Sequence, residues 1–200
     1  WLEAETELRR ALSLVARNPD ALVFHAIYIA RQAGHRRKAL AEIQLAYELT
    51  PSAPALALHL GAQKLLDGDG LDAGKWIDLA VANGYPRSLT AIREARAQLA
   101  MLEGRFDEAA QELTETLSPA SREAGGFEAI QSFYRAQADP SRSDRAIAAL
   151  QAWEAKLPPE ELEPSAAQRL VVWFTMLGAV DAAHDVAHRT VDRLAAHGTI

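Results

Sequence analysis

Three carboxylates stand among glycines at residues 67–72, which read DGDGLD. Carboxylates at this spacing could bind calcium, whose helix-loop-helix site takes oxygen ligands at positions 1, 3 and 5 and a glutamate at position 12. Counted from the first aspartate, position 3 is Asp69, position 5 is Leu71 and position 12 is Asp78. The stretch therefore fits a turn better, in which glycines let the chain reverse and Asp72 helps to start the next helix.

The overlapping segment GLDAGK could be a phosphate-binding loop, because it places glycines before a lysine. Such a loop has four residues between its glycines and a Ser or Thr after the lysine. Here Gly70 and Gly74 enclose three residues, and Trp76 follows Lys75. The segment is therefore not predicted to bind phosphate.

Two histidines, His184 and His188, stand one helical turn apart, with Asp181, Asp185 and Asp192 nearby. This spacing suits a metal ion. However, HDVAH lacks the glutamate of the metalloprotease motif, and the last helix of a repeat array requires a polar capping face. The favoured interpretation is a solvated face, and no metal site is predicted.

The remaining chemistry of the sequence is sparse. Residues 35–38 (HRRK) are basic, but the formal net charge of −6 opposes contact with nucleic acid, which requires a basic face. No Gly-x-Ser-x-Gly elbow occurs, and no cysteine can act as a nucleophile. We therefore predict no enzyme activity and no cofactor, with an enzyme whose polar residues meet only in space as the alternative.

The composition is that of a folded chain. Its 200 residues suffice for one or two globular domains or for one repeat array, and 49% are apolar while 24% are charged. The sequence contains no run of 18 apolar residues and no basic-then-apolar start, so neither a membrane span nor an export signal is predicted. The absence of cysteine leaves the compartment open; the cytoplasm is the prediction and the periplasm the alternative.

An internal repeat organises the chain. It consists of an alanine, an apolar residue four positions later and, in most copies, a small residue three positions further on. The copies are Ala39, Ile43 and Ala46; Ala73, Ile77 and Ala80; Ala109, Leu113 and Thr116; Ala146, Leu150 and Trp153; and Ala183, Ala187 and Thr190. Successive copies start 34, 36, 37 and 37 residues apart. This period indicates stacked helical hairpins, with the small residues at the helix crossings.

Turn residues recur in register with these triplets. Five positions before the alanine stands a glycine or, once, a serine: Gly34, Gly68, Gly104, Ser141 and Gly178. Glycine tolerates the positive φ at which a helix ends most easily. Twelve positions after the alanine stand Pro51 and Pro158, and one step out of phase Pro86. Proline cannot continue a helix, so each unit is predicted to be helix, turn, helix and stop.

These marks resemble the tetratricopeptide repeat (TPR) family, which has Leu-Gly in its first helix, an alanine and an apolar residue in its second, and a terminal proline. Leu60-Gly61 matches the first mark, and unit 20–53 matches in Gly34, Ala39, Ile43, Ala46 and Pro51. The resemblance implies an all-α fold, an alpha-alpha superhelix of helix-turn-helix repeats in one array over 1–200. Residues 1–19 would be the second helix of a truncated repeat. The predicted hairpins are 20–53, 54–89, 90–126, 127–163 and 164–200.

The resemblance also implies a binding surface. In TPR arrays the first helices line a concave face that holds an extended peptide or a helix. The family's register places these residues there: Phe24, Tyr28, Arg31, His59, Glu94, Gln98, Gln131 and Arg135, with Leu58, Leu65 and Met101 beside them. For Phe24, Leu58 and Leu65 a position in the core is the alternative.

The function that follows is a protein-interaction or effector-sensing module with a protein or peptide partner. Repeats of this length, rich in alanine and arginine, are similar to the carboxy-terminal arrays of bacterial winged-helix transcriptional activators. The array starts in the middle of a repeat, so we expect a fragment of a larger regulatory protein. A stand-alone assembly adaptor and an enzyme with its site in the groove are the alternatives.

Overall fold

A computed structural model describes residues 2–30, 36–157 and 164–196. Within these ranges the regular structure is helical and no strand occurs, and consecutive helices pack against each other. The predicted all-α class is confirmed. Of the helices in these ranges, none combines the length and the apolar character needed to cross a bilayer.

The chain divides into two compact units, Trp1–Glu103 and Gly104–Ile200. The first unit contains six helices: α1 (Leu2–Leu14), α2 (Pro19–Ala30), α3 (Arg36–Leu49), α4 (Pro54–Leu66), α5 (Gly70–Ala82) and α6 (Thr90–Leu102). Its main pairings are α2 with α3 and α4 with α5, and α6 packs on both α4 and α5. Two complete hairpins and their flanking helices therefore build this unit.

The second unit begins with α7 (Phe106–Thr114) and the short α8 (Pro119–Glu123). It continues with α9 (Gly126–Ala138), a 3₁₀ turn (Pro140–Arg142), α10 (Ser143–Lys156), α11 (Pro164–Met176) and α12 (Val180–Ala196). Here α9 pairs with α10 and α11 with α12, while α7 and α8 both pack on α9. The repeat boundaries named above stay predictions.

The repeated triplets form much of the core. Their alanines Ala39, Ala73, Ala109 and Ala146 are fully buried, and Ala183 is nearly so. The apolar positions Ile43, Ile77, Leu113 and Leu150 are buried as well, whereas Ala187 is half-buried. Helices approach closely only where the side chains between them are small, which explains why alanine recurs at this position.

The Leu-Gly mark lies at the crossing of α4 and α5. Leu60 is buried, and a Cβ atom on Gly61 would lie 3.2 Å from Ile77 Cγ1 and 3.3 Å from Trp76 Cβ. These separations are tighter than an ordinary van der Waals contact. Glycine therefore lets the two helices pack at this distance.

Helix reversal uses the predicted glycines where the structure describes them. Gly68 and Gly178 have φ values of +74° and +77°, and Gly104 has +73°. After each of the first two, the next N–H donates to a carbonyl five residues back: Asp69 N to Lys64 O at 3.0 Å and Ala179 N to Phe174 O at 2.8 Å. Gly34, like Pro158 and Trp1, lies outside the described residues.

Two residues predicted to mark a turn or a helix end behave differently in the structure. Ser141 lies at the predicted turn between α9 and α10 but lacks the positive φ of the glycines, because it sits in the 3₁₀ turn, where its N–H and hydroxyl both donate to Asp139 Oδ1, at 3.1 Å and 2.7 Å. Pro86 does not end α5, because the helix already stops at Ala82 and Gly84, with φ +116°, closes the turn. Pro51 follows the end of α3 at Leu49, as predicted.

Aromatic pairs join the packed helices within each unit. In the first unit, Tyr47 on α3 meets Trp76 on α5 edge to face, with ring centroids 4.9 Å apart. In the second, Phe133 on α9 stacks on Trp173 of α11 at 4.8 Å, and Trp153 of α10 lies 6.3 Å from the same indole. Such pairs stabilise a core beyond the apolar area that they bury.

Candidate partner-binding surface

Two carboxylates of DGDGLD, those of Asp69 and Asp72, bond to other groups of the protein. Asp69 caps α5 by accepting from the Asp72 N–H at 3.2 Å, and Lys64 Nζ lies 3.2 Å from Asp69 and 3.6 Å from Asp72. Lys75 also donates to Asp72, at 2.8 Å. The bond to Asp69 raises the pKa of Lys64, and the bond from Lys75 lowers the pKa of Asp72. The stretch is a turn, and Asp69 rather than Asp72 supplies the cap.

In the described part of the chain, no three His, Cys, Asp or Glu side chains cluster as a metal site would require. His184 and His188 on α12 are both exposed, and their Nε2 atoms lie 3.1 Å apart. The predicted solvated face of this helix is therefore present, and it brings the two imidazoles into direct contact.

The first unit places its candidate residues on three first helices. Phe24 on α2 is 62% exposed, so the core alternative does not hold for it. His59 on α4 is half-buried, and this burial lowers the pKa of its imidazole. Glu94 and Gln98 lie on α6, which packs against α4. Arg31 lies outside the described residues, as does the side chain of Tyr28.

The apolar residues beside these candidates belong to the core. Leu65 is buried in a cluster with Ala73, Ile77 and Ala95, and Leu58 is half-buried against the same cluster. The core alternative is therefore correct for Leu65. Leu58 shares in the core rather than standing on an open surface.

The second unit brings its two candidates together. Gln131 and Arg135 lie one turn apart on α9, and Arg135 Nη2 donates to Gln131 Oε1 at 2.8 Å. One turn before them stands Phe127, which is 52% exposed. Residues spaced by four lie on one face of a helix, so Phe127, Gln131 and Arg135 form one line that is exposed at both ends and half-buried at Gln131, here named the α9 stripe.

The α9 stripe ends at an open cavity of about 600 Å³ between the start of α7 and the end of α9. It is named the arginine cavity. Its lining residues are Gly104, Arg105, Phe106, Asp107, Glu108, Arg135, Ala138, Asp139 and Arg142. Three arginines and three carboxylates thus surround one volume, which favours a ligand that carries charge.

Two of the three arginines in the cavity already have carboxylate partners. Arg105 pairs with Glu108, and Arg142 Nε lies 3.0 Å from Asp139 Oδ2. Hydrogen bonds from Ser141 and Arg142 lower the pKa of Asp139. Among the residues that the structure describes, Arg135 bonds only to the neutral amide of Gln131. Its charge is therefore the one in the cavity best placed to meet a carboxylate from outside.

Sequence reasoning missed Phe127 and the cavity. The spacing of Phe127, Gln131 and Arg135 at i, i+4 and i+8 was a usable signal for one face of α9. No signal in the sequence joined Arg105 and Arg142 to Arg135, because their meeting depends on how α7 and the 3₁₀ turn pack beside α9.

A contact between a buried histidine and a carboxylate was also missed. His25 on α2 is buried, and its Nδ1 lies 2.8 Å from Glu42 Oε2 on α3. The pair joins the two helices of the first hairpin. Since His25 is only 5% exposed, this contact lies in the interior between the two helices.

Comparison of the chain with models of known protein families and with curated proteins finds no match.

Proposed function

We propose that this chain is a TPR-like array that binds a protein partner through the α9 stripe and the adjoining arginine cavity. The observation that carries the proposal is the exposure of Phe127 and Arg135 on one face of α9, with Arg135 lining an open volume of about 600 Å³. Aromatic and arginine side chains supply a large share of the free energy at protein interfaces.

Each end of the stripe can contribute to binding. Phe127 is 52% exposed, so covering its ring would remove about 100 Å² of apolar surface from water and contribute about 2 kcal/mol. Arg135 presents a planar guanidinium that binds a carboxylate through two parallel hydrogen bonds. Gln131 holds that guanidinium in place. An apolar contact at one end and a charged contact at the other would give the partner a direction.

The spacing of the two ends defines the partner. Eight residues separate Phe127 from Arg135, which corresponds to about 12 Å along a helix axis. An extended peptide covers this distance in about four residues. The partner is therefore a segment with an aromatic or aliphatic residue and, about four residues away, an aspartate or glutamate.

A display library of random peptides, selected on the immobilised protein, tests this proposal. We expect the selected peptides to share an apolar residue and an acidic residue at this spacing. Their affinity should fall roughly tenfold for Arg135→Ala and for Phe127→Ala, consistent with hot-spot losses of 1 kcal/mol or more. Arg145→Ala, which removes an exposed arginine of α10 outside the stripe, is the matched control. Peptides that bind both stripe variants as tightly as the wild type would refute the proposal.

A further inference from the structure

We propose that His184 and His188 form a two-histidine site on α12 for a divalent transition-metal ion of the Cu²⁺, Ni²⁺ or Zn²⁺ class. Both side chains are exposed, and their Nε2 atoms lie 3.1 Å apart. The site is separate from the α9 stripe and independent of the proposed partner.

The gap between the two nitrogens matches the size of such an ion. Metal–nitrogen bonds to histidine measure about 2.0–2.1 Å. Two bonds of this length separate their nitrogens by about 2.9 Å when they meet at a right angle, and by about 3.3 Å at the tetrahedral angle. The 3.1 Å between His184 Nε2 and His188 Nε2 lies between these values. The separation therefore suits an ion bound to both rings, once each ring has turned its Nε2 lone pair toward the ion.

The protonation of the pair is compatible with metal binding. In the neutral pair, one Nε2–H donates to the other Nε2. A metal ion bound to both rings lies to one side of the line between the two nitrogens and takes one lone pair from each ring, so the donor ring moves its proton from Nε2 to Nδ1. No net proton is released from the neutral pair, whereas a protonated ring must lose a proton before it can bind.

The charges around the pair favour a cation. Asp181 and Asp185 are exposed on the same helix, and the neighbouring Arg189 is paired with Glu154 of α10. The two imidazoles supply two ligands, so water fills the other coordination positions. Imidazole selects Zn²⁺, Cu²⁺ and Ni²⁺, whereas Mg²⁺ and Ca²⁺ take oxygen ligands.

Calorimetric titration of the untagged protein with each metal chloride alone tests the site. We expect one strong site per chain, tighter for Cu²⁺ than for Ni²⁺ or Zn²⁺, and no heat of binding with Mg²⁺. His184→Ala and His188→Ala should each weaken binding by roughly tenfold or more, since even changes outside the ligands have effects of that size. His59→Gln, which removes an imidazole of α4 and leaves α12 unchanged, is the matched control and should bind the metal as tightly as the wild type.

A second measurement keeps the test independent of affinity. Electron paramagnetic resonance of the copper-loaded protein should show coupling to two imidazole nitrogens in the wild type and to one in His188→Ala. Metal binding of equal strength in the wild type and both histidine variants would overturn the proposal, as would a copper spectrum without coupling to two nitrogens. Both histidines are exposed, so circular dichroism should show that each variant is folded.

Discussion

Gly126, the first residue of α9, stands where the chain has no room for a side-chain carbon. A Cβ atom there would lie 2.8 Å from the Ser121 carbonyl oxygen, and 3.0 Å from both Leu117 Cδ1 and Trp153 Nε1. The backbone oxygen cannot move without shifting α8, and Trp153 is buried. Gly126→Ala should therefore overpack this corner of the second unit.

The expected size of the effect follows from two opposing contributions. Overpacking a closed site costs about 1–3 kcal/mol, whereas replacing glycine with alanine returns about 0.4–1 kcal/mol by restricting the unfolded chain. The net loss in the free energy of unfolding should be about 1–2 kcal/mol. In a chain of this length that corresponds to a fall in Tm of about 2–8 °C.

Gly70→Ala is the matched control, because Gly70 is likewise the first residue of a helix. A Cβ atom there would meet only Leu99 Cδ1, at 3.3 Å, and the end of a leucine can move aside. We expect this variant to be as stable as the wild type or slightly more stable.

The assay is urea denaturation followed by far-ultraviolet circular dichroism, with fluorescence of the four tryptophans, Trp153 among them, as a second probe. Gly126→Ala should unfold at a lower urea concentration than both the wild type and Gly70→Ala. If the two alanine variants unfold at the same urea concentration, the close approach of Ser121, Leu117 and Trp153 to Gly126 is wrong.

Two further predictions concern the first unit. Burial lowers the pKa of His59 below its ordinary value of 6.5, so the unfolded chain binds a proton more readily than the folded one. The urea midpoint should therefore fall as the pH drops below about 6.5, and His59→Gln should weaken that dependence; identical pH profiles for the two proteins would contradict the assigned burial. Asp69→Ala removes the acceptor of the Asp72 N–H and should cost about 1 kcal/mol, while Asp69→Asn keeps a capping oxygen and should lose much less. Equal losses in a thermal melt of the two Asp69 variants would show that the cap is not what stabilises this turn.

The core residues could be predicted from the sequence because small residues recur along it with a regular period. Ala39, Ala73, Ala109 and Ala146 recur at the helix crossings, where only a small side chain fits, and all four are fully buried. The repeat period therefore located them without knowledge of any contact.

The starts of several helices could have been predicted from proline. Pro19, Pro54 and Pro164 are each the first residue of a helix that opens a hairpin, and Pro119 opens α8. Proline suits this position because its φ is helical and it lacks an N–H that would go unpaired. Proline therefore marks the starts of helices in this chain as well as their ends. The prediction that Pro86 ends a helix was wrong.

The arginine cavity could not be predicted from the sequence. The register implied by the resemblance to the TPR family assigns positions to each helix separately, and it placed Gln131 and Arg135 together on one helix. It does not say that Arg105 and Arg142 converge on them. That convergence depends on how α7 and the 3₁₀ turn pack beside α9, and the 3₁₀ turn is a short element with no period of its own.

The contact between Tyr47 and Trp76 affects how cooperatively the first unit unfolds. Its core consists of several small clusters, and both aromatic rings pack on the cluster around Ala39 and Ile43 and on the cluster around Ala57 and Ala80. In stacked repeats, cooperativity depends on the interface between neighbouring hairpins rather than on one shared interior. This pair therefore couples the first two hairpins, together with the buried Leu56 and Leu60 of α4. Weakening it would let one hairpin open while the next stays folded, and amide hydrogen exchange would then report two free energies of opening where a single core would give one.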